Sequence, residues 1–462
     1  MIPRLAWRDA HIGESRTPFE PAPNPRGFGI TFHAESLKAA GSVDQEAVLL
    51  LRELSNLELI RAISTDPSES AHFVLDESTD PEQILVRYVL SSGERGLTSV
   101  PAARQWSELA ATTINQPVIS PVQPDTAKAL AVLLPAQASL SIGQDVFVTV
   151  SSTLTERLDR WWINYTNPRK PLDALKIVGL FLRSRGQFVY GASDRVRMNL
   201  DRGGFYWVLA RERLPSMWRY FSFCLAAERA GLLPLGGLGE SILTRACRAL
   251  QARDAIGFNF YREQDRDVAE EMLYHFEYLT LALTALLDAE ARVIHQVYGL
   301  SGRLYDAGFG RERFTRQLRK ASPKLDAVVS SPRFKGLMTL LSSPRNSIHA
   351  EAWQLITVMS TRSPEAYLAV PADLSNDLQQ AATDLRGAAR WGLAFSANAA
   401  TLEPYSYGCA LLEETLDGVN MIANDTNLEN VVPYSLRKGI STAHPTDGLF
   451  GPETCRRVSL LG

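Results

Sequence analysis

Apolar positions change their period along the chain. From Ser42 onward Leu50, Leu54 and Leu57 mark one helical face, and Ser42 with Gln45 has capping-box spacing, so a helix is expected to start there. Phe73-Val74-Leu75 and the run from Ile84 to Leu90 are strand-forming, and the turn residues from Asp76 to Pro81 between them predict a hairpin. A helix is expected over 102–114 and a strand over 146–150, while 128–134 fits either type.

From residue 156 the helical period dominates. It predicts helices over 171–185, 204–230, 239–256, 265–298, 311–320 and 332–342, another starting at Ser343, and a last one over 404–422. Phe334, Leu337, Met338 and Leu341 form a core-facing stripe. Leu374, Leu378, Ala381, Leu385, Ala388, Gly392 and Phe395 alternate steps of four and three, as the seam of a bundle does. The fold class read from this pattern is α+β. A Pro/Gly-rich extended arm (1–41) leads into a small α+β domain (42–155), a helical connecting region (156–264), a helical bundle (265–425) and an irregular tail (426–462). Strands are expected mostly before 155, with no sheet of several strands inside 204–425, and Leu279, Leu283 and Leu286 are expected in the core.

Composition adds limits. Hydrophobic residues at 45% and charged residues at 21% suit a globular protein with real cores. The first residues, Met1 to Trp7, lack the apolar run of a secretory signal, and the most apolar stretch, 279–287, is too short to span a bilayer. Four scattered cysteines without a C-x-x-C pair argue against a zinc site or disulfide framework. A cytoplasmic protein without a cofactor and without membrane attachment is expected. A net charge of −3 offers no global attraction for nucleic acid, but from Arg303 through Arg345 ten Lys or Arg face three acids. Within it Arg311, Arg313, Arg316, Arg319, Lys320, Lys324, Arg333 and Lys335 are the candidate nucleic-acid-binding residues. The alternative for them is a solvated face or pairing with acidic helices.

The one chemically suggestive motif is Arg345-Asn346-Ser347-Ile348-His349. Ser343 and Pro344 read as the N-cap and first residue of a helix, which puts Arg345 in a first turn where the macrodipole prefers anions. His349 follows four residues later on the same face, which continues to Trp353 and Ile356. Free amide groups, a guanidinium and an imidazole would then converge on a phosphate. In RNA cleavage His349 would take the 2′-hydroxyl proton, Arg345 would stabilise charge on the phosphate, and Asn346 would hold the phosphate or position the arginine.

With its arginine, following asparagine and histidine on one helix, the segment resembles the HEPN superfamily, helical-bundle domains found in many bacterial defence ribonucleases and toxins. Its spacing of three residues between Arg345 and His349 is shorter than the family's usual one. The resemblance covers about 265–425. It implies a metal-independent endoribonuclease of an antiviral defence or toxin type, with Arg345, Asn346 and His349 catalytic, RNA as partner, and a homodimer that brings two motifs to one cleft. The rival reading is a non-enzymatic helical scaffold that binds a protein partner, with Arg345 and His349 structural.

Other candidates are weaker. Gly236 to Ser241 precedes a helix but lacks P-loop and G-x-G-x-x-G spacing, and reads as a turn with an N-cap. Trp161-Trp162, Phe205-Tyr206-Trp207 and Trp218-Arg219-Tyr220 interleave aromatics with arginines, a pattern shared by single-strand binders and core helices. His275 and His295 lack metal-ligand spacing.

Overall fold

The computed structural model describes residues 2, 4–5, 15, 17–21, 26–91, 93–101, 125–152, 154–155, 167–193, 195–350, 354–359, 364–395, 400–438, 440 and 450–462; for 125–132, 347–350, 357–359 and 364–365 it describes the backbone alone. The helix expected over 102–114 lies outside these residues, as do Trp161, Trp162 and Trp353. The chain divides into two compact units, one of Pro3–Asn199 with Leu460–Gly462 and one of Leu200–Ser459 with Met1–Ile2. The class is α+β, a mixed sheet with helices followed by a largely helical region.

The first unit contains β1 (Phe28–Phe32), α1 (Ala34–Leu37), α2 (Ser42–Leu54), β2 (Ile60–Ser64), β3 (His72–Glu77), β4 (Gln83–Val89) and β5 (Arg95–Pro101). It continues with α3 (Asp125–Ser141), β6 (Val146–Val148), β7 (Pro168–Arg169), α4 (Pro171–Ser184), β8 (Val189–Ala192) and β9 (Arg197–Asn199). One seven-stranded sheet runs in the order β5-β4-β3-β2-β1-β6-β7. The pairs from β3 through β7 are parallel, whereas β3, β4 and β5 form an antiparallel meander that contains the expected hairpin.

Residues 28–32, expected in an extended arm, form β1, the middle strand of the parallel part of the sheet. All five are buried, and a strand covered on both faces shows no polar alternation to reveal it. On one face Phe28 meets Phe181 of α4 at 5.3 Å and Phe32 lies 4.6 Å under the Arg52 guanidinium of α2. On the other, Thr31 hydrogen-bonds Ser139 of α3 at 2.7 Å. A side chain at Gly29 would come within 2.8 Å of the Gln144 backbone, so only hydrogen fits there. Arg26 and Asp145, both buried, form a bidentate pair at the amino ends of β1 and β6, and Gly29 N donates to the same carboxylate at 2.8 Å. Ser42 is not an N-cap as its spacing suggested. Gly41 takes that place without a side-chain cap, and Gln45 Nε2 donates to the Ala40 carbonyl instead.

The second unit is built on α5 (Arg202–Arg213), α6 (Met217–Arg229), α7 (Gly236–Phe260) and α8 (Arg266–Val297). There follow α9 (Glu312–Ala321), α10 (Pro323–Val329), α11 (Pro332–Ala350), β10 (Leu355–Met359), β11 (Pro364–Val370) and α12 (Ala372–Asp384). The chain ends with β12 (Leu393–Phe395), β13 (Ala400–Leu402), α13 (Pro404–Asp425), α14 (Tyr434–Arg437) and α15 (Pro452–Leu461). Leu279, Leu283 and Leu286 are fully buried in α8, as their spacing predicts. The helix expected over 204–230 is two helices, separated at Leu214-Pro215-Ser216, where a proline cannot continue the first.

The expectation of no sheet inside 204–425 is wrong. A four-stranded antiparallel sheet, in the order β10-β11-β13-β12, occupies part of 355–402. The steps of four and three hold only to Leu385. Arg386 and Gly387 then take positive φ (73° and 93°), which ends the helix, and Phe395 belongs to β12. Trp391 Nε1 donates to the Leu385 carbonyl at 3.0 Å and fixes the reversal. The tail is not wholly irregular either, since α15 buries Cys455, Val458 and Leu461.

Candidate functional site

Arg345, Asn346 and His349 all lie on α11, but no helix starts at Ser343. The helix is continuous from Pro332, with Pro344 in its interior. Proline has no N–H and leaves the carbonyl four residues back without its helical partner. That carbonyl belongs to Leu340, and the buried Tyr407 hydroxyl of α13 donates to it at 2.6 Å. A tertiary contact thus removes the penalty that made Pro344 look like a helix start. Arg345 and His349 consequently stand near the carboxyl end of a helix, where the macrodipole favours cations. The converging amide groups inferred from a first turn are not present, and Ile356 lies on β10 rather than on the same helix face.

Arg345 is partly exposed, and its Nη1 donates to Asn346 Oδ1 at 3.3 Å. More telling is its company. Asp288 of α8 is half-buried, and burial raises its pKa; Arg292, Arg345, Arg245 and Arg311 are each close enough to oppose that rise. Arg245 comes from α7, Arg292 from the next turn of α8, Arg311 from the residue preceding α9, and Arg345 from α11. Burial lowers the Arg245 pKa, and repulsion from Arg292 and Arg248 adds to the effect. Four guanidiniums therefore surround one carboxylate. Gly308 lies beside them, since a methyl group on its α-carbon would stand 3.6 Å from Arg311 and 3.8 Å from Asp288 Oδ1. The Arg292 guanidinium sits 5.6 Å from the centre of the Tyr305 ring, which is 81% exposed. Excess positive charge beside an open aromatic face suits phosphate and an unstacked base.

Sequence reasoning found Arg345 and Arg311 and missed Arg245, Arg292, Asp288 and Tyr305. Asp288 and Arg292, one helical turn apart, are the only local signal for the rest. Among the eight basic candidates, Arg316 pairs with Glu312, Arg319 with Asp326 and Lys324 with Asp425. Arg333 clamps the buried Glu414 together with Arg390, and also meets Asp417. Arg311, Arg313, Lys320 and Lys335 are exposed. The aromatics Phe205, Tyr206, Trp218 and Tyr220 are buried in the helical core. The glycines from Gly236 form the first turn of α7 rather than a loop before it.

Among the described residues no group of three or more His, Cys, Asp or Glu is placed to hold a metal ion, and no helix is long and apolar enough to cross a membrane. Comparison with protein-family models, with curated proteins and with solved structures finds no match to this chain.

Proposed function

We propose that the helical unit binds single-stranded RNA through Arg245, Arg292, Arg311 and Arg345, and that Arg345 with His349 supports metal-independent cleavage of the bound strand. The observation that carries this reading is the gathering of arginines around Asp288, with Tyr305 exposed beside them. Phosphates would meet the guanidiniums and a base would stack on Tyr305. His349, one helical turn beyond Arg345, supplies a group able to exchange a proton with the 2′-hydroxyl or the leaving 5′-oxygen. Attack of the 2′-oxygen on phosphorus with loss of the 5′-oxygen leaves a 2′,3′-cyclic phosphate. The resemblance to HEPN domains adds the expectation of a homodimer and of a defence or toxin setting.

The test is labelled single-stranded RNA titrated with wild type, Arg292→Ala and His349→Ala at several salt concentrations. Wild type is expected to bind with an affinity that falls steeply with salt, Arg292→Ala to bind more weakly with a shallower slope, and His349→Ala to bind while losing cyclic-phosphate product. Salt-insensitive binding, or none, overturns the reading and leaves the scaffold alternative.

A further inference from the structure

We propose that the α/β unit carries a separate ligand site at the carboxyl ends of β1 and β6, in which His33 Nε2 accepts a hydrogen bond from a ribose hydroxyl of a nucleotide.

Topology comes first. From β1 the chain passes through α2 to β2 on one side, while β6 adds parallel to β1 on the other side. The helices follow suit, with α2 and α4 on the Phe28 and Phe32 face and α3 on the Thr31 face. The segments leaving β1 and β6 therefore diverge, and such a switch point opens a crevice at the carboxyl edge of the sheet.

The residues at that edge are His33 and Ser36 after β1, and Thr149 and Ser151 after β6. One arrangement of the protons makes all of their hydrogen bonds at once, and it sets the imidazole tautomer. Ser36 Oγ donates to the His33 carbonyl at 3.1 Å, which uses its one proton. Of the Ser36 and Thr149 hydroxyls, 2.9 Å apart, Thr149 must then be the donor. Thr149 Oγ1, its proton spent, also accepts from Ser151 N at 3.1 Å. The His33 Nδ1 contact to Thr149 Oγ1, at 3.0 Å, can then be made only with Nδ1 as donor. Nε2 is left with its lone pair free. It makes no hydrogen bond among the described residues and is not sealed in the interior. Burial lowers the His33 pKa against the opposing charge of Glu35, in keeping with a neutral ring.

A chain of three side chains thus holds the ring at the carboxyl end of β1, and this proton arrangement leaves Nε2 as a base. Its complement is a donor, which a ribose hydroxyl supplies. The same β1–α2 connection carries Lys38, which pairs with Glu35 at 2.6 Å, and leads to the α2 start, whose Gly41 brings no side-chain cap to compete with a phosphate.

The experiment uses the full chain and two readouts. Imidazole nitrogen spectra should show His33 with its proton on Nδ1, and Thr149→Val should shift the proton to Nε2. Calorimetric titration with ATP, AMP and NAD⁺ should give binding that His33→Ala and Thr149→Val each weaken about tenfold or more, with melting temperatures near wild type. Arg292→Ala should leave nucleotide binding unchanged, which separates this site from the RNA site. A proton on His33 Nε2 in wild type, no binding of any of the three nucleotides, or binding indifferent to His33→Ala would each overturn the proposal.

Discussion

Asp145 of the α/β unit and Glu290 of the helical unit are both buried carboxylates, and they are treated in opposite ways. Asp145 in the α/β unit receives two bonds from Arg26, at 2.9 and 2.6 Å, and one from Gly29 N. Glu290 in the helical unit is fully buried, and neither carboxyl oxygen has a hydrogen-bonding partner. The Tyr220 hydroxyl faces it but closes no well-formed bond. Burial pushes the Glu290 pKa up to about 8, which the Tyr220 contact only tempers. A carboxylate inside a protein must be paired or must hold its proton. Asp145 takes the first course and joins the amino ends of two neighbouring strands. Glu290 takes the second and makes the helical core a proton-binding site.

Removing the pairing should give the largest effect. Arg26→Met leaves the Asp145 charge buried with one backbone donor, and should cost about 3–5 kcal/mol in a denaturant titration. A smaller loss in Arg26→Met/Asp145→Leu than in the single variant would show that the stranded charge carries the penalty. Equal losses would break the contrast with Glu290.

Glu290 predicts a pH dependence instead. Its folded pKa lies above the ordinary value of 4.5, so the folded chain binds the extra proton between 4.5 and about 8. Stability from this group is full below that window and declines through it at roughly 1.4 kcal/mol per pH unit, because the unfolded chain has lost the proton that the folded chain still holds. Glu290→Gln keeps the shape without the titration. It should gain on wild type as pH rises through the window, and parallel pH profiles of the two would show that Glu290 is solvated.

A backbone group sharpens the same contrast. Pro344 strips the Leu340 carbonyl of its helical partner, and Tyr407 supplies a replacement at 2.6 Å. Tyr407→Phe keeps the ring packing and should cost about 1–3 kcal/mol, the penalty for an unsatisfied buried acceptor. Pro344→Ala in that background should recover most of it, because alanine restores the helical N–H. No recovery would mean that the Tyr407 hydroxyl acts elsewhere.

Pro344 also shows where the sequence stops being readable. Locally, Ser-Pro is a helix start, and only a residue on α13 reveals that the helix runs through it. Periodic stripes gave the long helices, including the buried Leu279, Leu283 and Leu286, because a packing face is written in one stretch of chain. The interior strand β1 has no alternation to read, since both its faces are covered. The sheet over 355–402 was hidden by apolar steps that fit a helix until Arg386 and Gly387 turned the chain. At the candidate site Arg345 was legible, whereas its association with Arg245 and Arg292 depends on how α7, α8 and α11 pack. The His33–Thr149–Ser36 chain is more distant still, since it joins the ends of two strands that only the sheet order makes neighbours.

Asp288 is intermediate between Asp145 and Glu290 in its treatment and gives the smallest effect. It is half-buried, it has arginines around it, and its pKa is raised by burial against their pull. Ionised, it cancels one guanidinium of the proposed RNA site; protonated, it cancels none. Asp288→Asn keeps the shape and makes the uncancelled state permanent, so RNA should bind several-fold more tightly at neutral pH, less than the tenfold that one strong contact brings. In wild type the affinity should rise as pH falls through the Asp288 titration, and the variant should lack that rise. Fluorescence anisotropy at fixed salt measures both. Weaker RNA binding by Asp288→Asn would mean that the carboxylate organises the arginines rather than offsetting them, and would return Asp288 to the company of Asp145.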